Sequence, residues 1–309
     1  MNNDRIQEIL DLMEEARLDY FLISDPQSVA YCTGYYNDPH ERMFVFMISK
    51  HGNHTLFMND LFYLDHDLDV NIVWHKDGQD AIQTIVDEMH FPGRIGIDKN
   101  WASHFLLDLM KKLPDAKYIN ASPCVDLVRM KKDLQEQVLM IESSKINDAV
   151  MEEIIPFIQE GVTEKQLAKK LDELFFNHHS TCYGAIVAFG KNAADPHHEN
   201  DDTLLRKGDC VLIDMGCVYK GYCSDMTRTF FYEGILEEEI KVYEIVKKAN
   251  EAAEAMIKPG VKLSDIDKCA RKVISDEGYG KYFTHRLGHF IGRDVHEYGD
   301  VSSVNEMEV

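Results

Sequence analysis

Apolar positions follow one rhythm up to about residue 125 and another beyond it. In the first stretch, Ile6, Ile9, Leu10 and Met13 recur at the spacing of one helix face, which predicts an N-terminal helix. Residues 19–24 (DYFLIS) form a short, continuous apolar run of the kind that fits a strand covered on both faces. Residues 43–49 (MFVFMIS) and 54–58 (HTLFM) read as strands joined by the turn residues His51, Gly52 and Asn53. Further strands are expected at 71–75, 94–98 and 117–120, with helices over 80–89 and 105–113. Strands interleaved with helices predict an α/β domain spanning 1–125.

The second region, 126–309, begins with one long helical pattern over 131–158, with Pro156 near its end. Thr163 and Gln166 form a capping box that opens another helix, since each side chain can satisfy an amide left exposed at the helix start. Strand-like segments at 184–189 and 209–232 follow. A helix is expected over 236–257, closed by Pro259 and Gly260, and a last one capped by Ser264.

The most informative stretch is 207–231 (KGDCVLIDMGCVYKGYCSDMTRTFF). Two β-rich runs flank residues 218–221, which read as a tight hairpin turn. A turn centred on Tyr219 and Lys220 sets Asp214 directly opposite Asp225 on one sheet face. Cross-strand partners hold their Cβ atoms about 4.5–5.5 Å apart, where like charges are destabilising. Two carboxylates so placed call for a proton or a cation between them, and hard divalent ions take oxygen donors. A slip of one residue would send Asp225 to the other face, and two solvated surface aspartates remain the alternative. Downstream, 282–297 (YFTHRLGHFIGRDVHE) carries His285, His289 and His296 among glycines. Imidazole ligates metals and can steady developing charge. His197 and His198 follow a loop-like run of Gly, Asn and Pro.

Composition narrows the classes. The chain has 309 residues, 45% hydrophobic and 28% charged, with a formal net charge of −21. Such acidity repels phosphate backbones, so nucleic-acid binding is not expected. No run approaches the roughly 20 apolar residues that span a bilayer, and no secretory signal is evident, so no membrane partner is expected. The seven cysteines are scattered without a CxxC pair, which suits a reducing cytoplasm and neither a disulfide framework nor a zinc-thiolate site.

Four segments in order, IVAFGKNAADPHHEN, VLIDMGCVYKGYCSDMTRTF, AMIKPGVKLSDID and HRLGHFIGRDVHE, resemble the creatinase/methionine-aminopeptidase family, whose fold is called pita-bread. The likeness is nearest to its proline-specific branch, Xaa-Pro dipeptidase (prolidase) and aminopeptidase P. The opening DYFLISDPQSVAYCTGY is similar to the family's N-terminal domain. The resemblance implies a creatinase-like α/β domain followed by an α+β pita-bread catalytic domain. It implies two divalent ions (manganese first, cobalt or zinc otherwise), with Asp214 chelating one, Asp225 bridging both and His289 binding the second. His197 and His296 would contact the substrate, with His285 close behind. The implied partners are short proline-containing peptides and a second copy of the chain in a homodimer. The implied activity is cleavage of Xaa-Pro bonds, by a dipeptidase or else an aminopeptidase P. A metal-free binding module is the reading from another class.

Family members continue into two more strands, each bearing a glutamate ligand, the first of them also the general base. This chain ends at 305–309 (NEMEV), and Glu306 and Glu308 stand in no such motif. The resemblance therefore implies a catalytic domain incomplete at its C-terminus, an incomplete metal site, and a truncated chain inactive as given. Phe290 and Arg293 depart from the family pattern and are expected to narrow the substrate cleft.

Overall fold

The structure, a computed structural model, describes residues 1–90 and 92–309. Its contacts divide the chain into two units, Met1–Lys131 and Lys132–Val309.

The first unit holds α1 (Asn3–Glu15), β1 (Tyr20–Ile23), α2 (Pro26–Thr33), β2 (Val45–Ser49), β3 (Thr55–Asn59), β4 (Asn71–His75), α3 (Ala81–Glu88), β5 (Arg94–Ile97), α4 (Ser103–Lys112), β6 (Lys117–Asn120) and α5 (Ser122–Met130). The strands make one mixed sheet in the order β4-β3-β2-β1-β5-β6. β1 explains its own apolar run. Phe21 and Ile23 pack with Ile6, Ile9 and Val128 on one side, while Tyr20 and Leu22 pack with Ile82 and Leu109 on the other. Both faces are covered by helices, so no polar alternation survives. The unit runs past the change of pattern at 125 because Val125 and Val128 on α5 belong to its core.

Asp19, just ahead of β1, accepts the Arg94 amide at 2.7 Å and the Gly93 amide at 3.0 Å, and pairs with the Lys50 ammonium. Burial opposes its ionisation, but Lys50 and the two amides together hold its pKa below the usual carboxylate value. A depressed folded pKa contributes stability that is present above the unfolded value and lost as pH falls through the folded one. Asp19→Asn is expected to cost about 1–3 kcal/mol at neutral pH, in line with hydrogen bonds to a charged group. Urea midpoints for both proteins from about pH 7 to about pH 3 should converge on acidification, and a constant gap would refute the assignment.

The second unit begins with α6 (Leu134–Ile154), opened by a capping box between Asp133 and Glu136, and α7 (Glu164–Asn177), opened by the expected box between Thr163 and Gln166. The long helical pattern stops at Ile154. Pro156, which has no amide to donate, lies in the 3₁₀ turn Ile155–Phe157 that follows. Then come β7 (Thr181–Cys182), β8 (Ile186–Phe189), β9 (Cys210–Met215), β10 (Cys217–Tyr219), β11 (Tyr222–Cys223), β12 (Met226–Phe231), α8 (Glu237–Glu254), α9 (Leu263–Asp276), β13 (Gly288–Phe290) and β14 (Glu297–Val301). The strands pair as β12-β9-β8, β11-β10-β7 and β13-β14. Ser264 does not cap α9. The cap position is Lys262, and the Ser264 hydroxyl instead donates to Glu306 at 3.2 Å. Among the described residues, no helix is long and apolar enough to cross a membrane.

The hairpin register differs from expectation. Its turn is Lys220-Gly221, with φ of 49° and 83°, so Tyr219 pairs with Tyr222 and Asp214 with Thr227 rather than Asp225. A two-residue turn of this hand requires positive φ at both positions, and Gly221 meets that need where Tyr219 would not.

Candidate metal centre

Asp225 lies in the link between β11 and β12, outside the ladder, and this places it near Asp214 despite the altered register. Asp214, Asp225, His197, His285, His289 and His296 all line one cleft of about 570 Å³. Asp214, on β9, accepts the Thr227 hydroxyl at 2.7 Å. His289, on β13, brings Nε2 to 3.3 Å from Asp225 Oδ2. Its ring packs edge-on against His296, centroids 4.1 Å apart.

The tautomer of His289 follows from its other nitrogen. Nδ1 stands 3.2 Å from the Phe290 carbonyl, which only accepts, so Nδ1 carries the proton. In the neutral ring, Nε2 then turns a lone pair toward a carboxylate oxygen. Two such donors in contact suit a shared cation, and a carbonyl behind the ring is the usual second support of a ligating histidine.

Electrostatics point the same way. Burial, and then the charge of Asp214, push the Asp225 pKa up, while His289 and His296 oppose the shift. Burial and then His289 lower the His296 pKa, which favours its neutral form. A divalent ion would relieve the strain on both acids. The donors nevertheless stand apart: Asp214, Asp225 and His289 do not make a group of three with all donor atoms within 4.8 Å. Among the described residues, that spacing is met by Glu164, His198 and Asp201.

Tyr183 and Thr227 also line the cleft. Tyr183 donates its hydroxyl to the Ser224 carbonyl at 2.8 Å, beside Asp225, and burial raises its pKa so that it stays a neutral phenol. Thr227, on β12, stands directly opposite Asp214 across the ladder and so reaches the same cleft. Phe290 and Arg293 do not line the cleft. Phe290 packs with the α8–α9 core, and the Arg293 guanidinium lies 5.4 Å from the Tyr222 ring centroid. All seven cysteines are free thiols, and burial pushes Cys182 up to about 11 and Cys223 up to about 12.

Residues 138–309 match metallopeptidase family M24, and residues 5–131 match the creatinase/prolidase N-terminal domain. An uncharacterized peptidase of Staphylococcus aureus is 33% identical over 310 residues, covering 97% of this chain and 87% of the relative. The fold superposes on a dipeptidase from Pyrococcus horikoshii with a TM-score of 0.90 and 34% identity, over 99% of this chain and 87% of that one. A recombinant prolidase from Thermococcus sibiricus gives a TM-score of 0.94 at 30% identity, over 100% and 87% of the respective chains.

Proposed function

We propose, from the fact that this chain belongs to metallopeptidase family M24, that it is built to hydrolyse Xaa-Pro bonds in short peptides, foremost as a dipeptidase. The observation that carries this reading is the approach of His289 Nε2 to Asp225 Oδ2 at 3.3 Å, beside Asp214, in a cleft ringed by further imidazoles. The likeness to a dipeptidase and a prolidase supports the substrate class.

In this reading Asp214, Asp225 and His289 hold divalent metal, manganese being the first ion to test. Bound metal supplies a water of lowered pKa and a Lewis acid for the scissile carbonyl. The protein's own share is placement. His296, kept neutral by its surroundings, and His197 offer N–H groups to the carbonyl oxygen as it gains charge. His285, which lines the same cleft, is oriented by its Nδ1–H donating to the Arg286 carbonyl at 2.7 Å. Three metal-holding side chains serve one ion better than two, so the dinuclear form needs donors beyond this set. The same reading places the enzyme in the cytoplasm, where free thiols persist, and as a homodimer.

The test is proline release from a Xaa-Pro dipeptide with added Mn²⁺. It is run on this chain and on one extended by the two glutamate-bearing strands that the family resemblance implies. Mn²⁺ binding by both, with release by the extended chain, is the expected result. Release from longer Xaa-Pro peptides alone would make it an aminopeptidase. Failure of both chains on all substrates would remove the peptidase reading.

A further inference from the structure

Glu164 opens α7 with a side chain that is 0% exposed, yet its carboxylate takes part in none of the chemistry above. It accepts four hydrogen bonds. Oε1 receives the Phe189 amide at 2.8 Å and the Asn192 side-chain amide at 2.9 Å. Oε2 receives His198 Nε2 at 2.6 Å and the Asp201 amide at 3.1 Å. The four donors are spread along 189–201, the segment that carries His197 from the end of β8 to the rim of the cleft.

A second fastening lies on the same segment. Asn200 accepts the Val187 amide and donates to the Ala185 carbonyl, both at 2.7 Å, so its side chain pairs with the free edge of β8. The His197 amide donates to Asp195 at 3.0 Å, within the same loop. Thus His197 is exposed, but the residues on either side of it are tied to a buried anion and to the sheet edge.

We propose that Glu164, acting through His198, is the positioning device that presents His197 to the cleft. This rests on the reading of His197 as a substrate-contacting residue. A cation held by Glu164, His198 and Asp201 is the competing use of the same atoms. The clasp is the better account, because a carboxylate offers about four lone-pair directions and four N–H donors already occupy them. His198 matters in particular: it neighbours His197 directly, so a shift of its ring carries the adjacent backbone with it.

The test labels histidine ring carbons for NMR and assigns the His197 signal with His197→Gln. Three variants follow: Glu164→Gln, His198→Ala, and His198→Gln, which keeps an amide donor near the position of Nε2. The clasp predicts a displaced His197 signal in the first two and its return in the third. Where proline release is measurable, kcat should fall about 100-fold in Glu164→Gln and His198→Ala, the cost of a misplacement near 1 Å, with a smaller change in KM. Mn²⁺ affinity and stoichiometry should hold, since Asp214, Asp225 and His289 lie on other elements. An unmoved His197 signal in both disrupted variants, with only a lower melting temperature, would make the cluster merely structural. Loss of a bound Mn²⁺ equivalent in Glu164→Gln would make it a cation site. If Glu164→Gln does not fold, the two His198 variants decide alone. Absence of proline release in every form would defeat the proposed function, while the NMR comparison would still judge the clasp.

Discussion

Asp225→Asn is expected to stabilise the metal-free protein while lowering its Mn²⁺ affinity by 100-fold or more, on the order of 3 kcal/mol. The two effects share one cause. The Asp225 side chain keeps 29% of its surface open to the cleft, yet its ionised form is disfavoured by burial and by Asp214, so without metal its charge is a liability to the fold. Asparagine keeps the size and one carbonyl acceptor but removes the charge. Relief of roughly 1 kcal/mol is the scale set by an imperfectly compensated buried polar group. The sign with pH follows. A carboxylate with a raised folded pKa destabilises the fold when ionised, so the advantage of the variant should be largest above that pKa and shrink as both proteins are acidified. With metal present the ranking reverses, because the wild type gains binding energy that the variant cannot. Thermal scans with chelator and with saturating Mn²⁺ read both signs in one experiment. A variant less stable than wild type in chelator would show that the Asp225–His289 contact, and not a metal, is what the geometry serves.

Several parts of this arrangement were legible in the residue order, and the exceptions have physical reasons. The DYFLIS run, the Thr163 box and the glycine-spaced histidines are local signals, and local signals survive without knowledge of tertiary neighbours. The hairpin register was also local, but it turned on which residues take positive φ. Lys220 takes φ of 49°, an uncommon backbone for a residue with a Cβ, so the residue order alone points to a turn one residue early. Asp225 and Asp214 line one cleft in the shifted register as well, since Asp225 reaches it from a break in the ladder rather than from a paired position. Glu164 could not be read as anything but a helix-opening acid. Its four donors come from residues about 25–37 positions away, and no periodicity marks such a meeting. Tyr183 was hidden for the same reason, its hydroxyl partner being 41 residues further along the chain.

Gly216 stands between β9 and β10, facing the break in the ladder, and Gly216→Ala is expected to damage fold and metal site together. A Cβ added there would stand 1.9 Å from the Tyr183 hydroxyl oxygen and 2.1 Å from the Ser224 carbonyl oxygen. The first contact involves the far end of a side chain, which can rotate away. The second involves backbone, bonded directly to Asp225 and tied to β10 by the Ser224 amide, which donates to Cys217 at 3.0 Å. The methyl therefore pushes the Asp225 strand outward, at a cost near the upper end of overpacking, about 3 kcal/mol. That corresponds to a fall in melting temperature of about 6–12 °C for a unit of this size. Since the displaced backbone carries Asp225, Mn²⁺ affinity should fall even at temperatures where the variant is fully folded. Tyr183→Ala separates the two contacts. In combination with Gly216→Ala it removes the phenol clash but leaves the carbonyl clash, so the double variant should regain part of its stability and little of its Mn²⁺ affinity. Full recovery of both would mean that the phenol alone fills the space over Gly216, and that the backbone bearing Asp225 has room to spare.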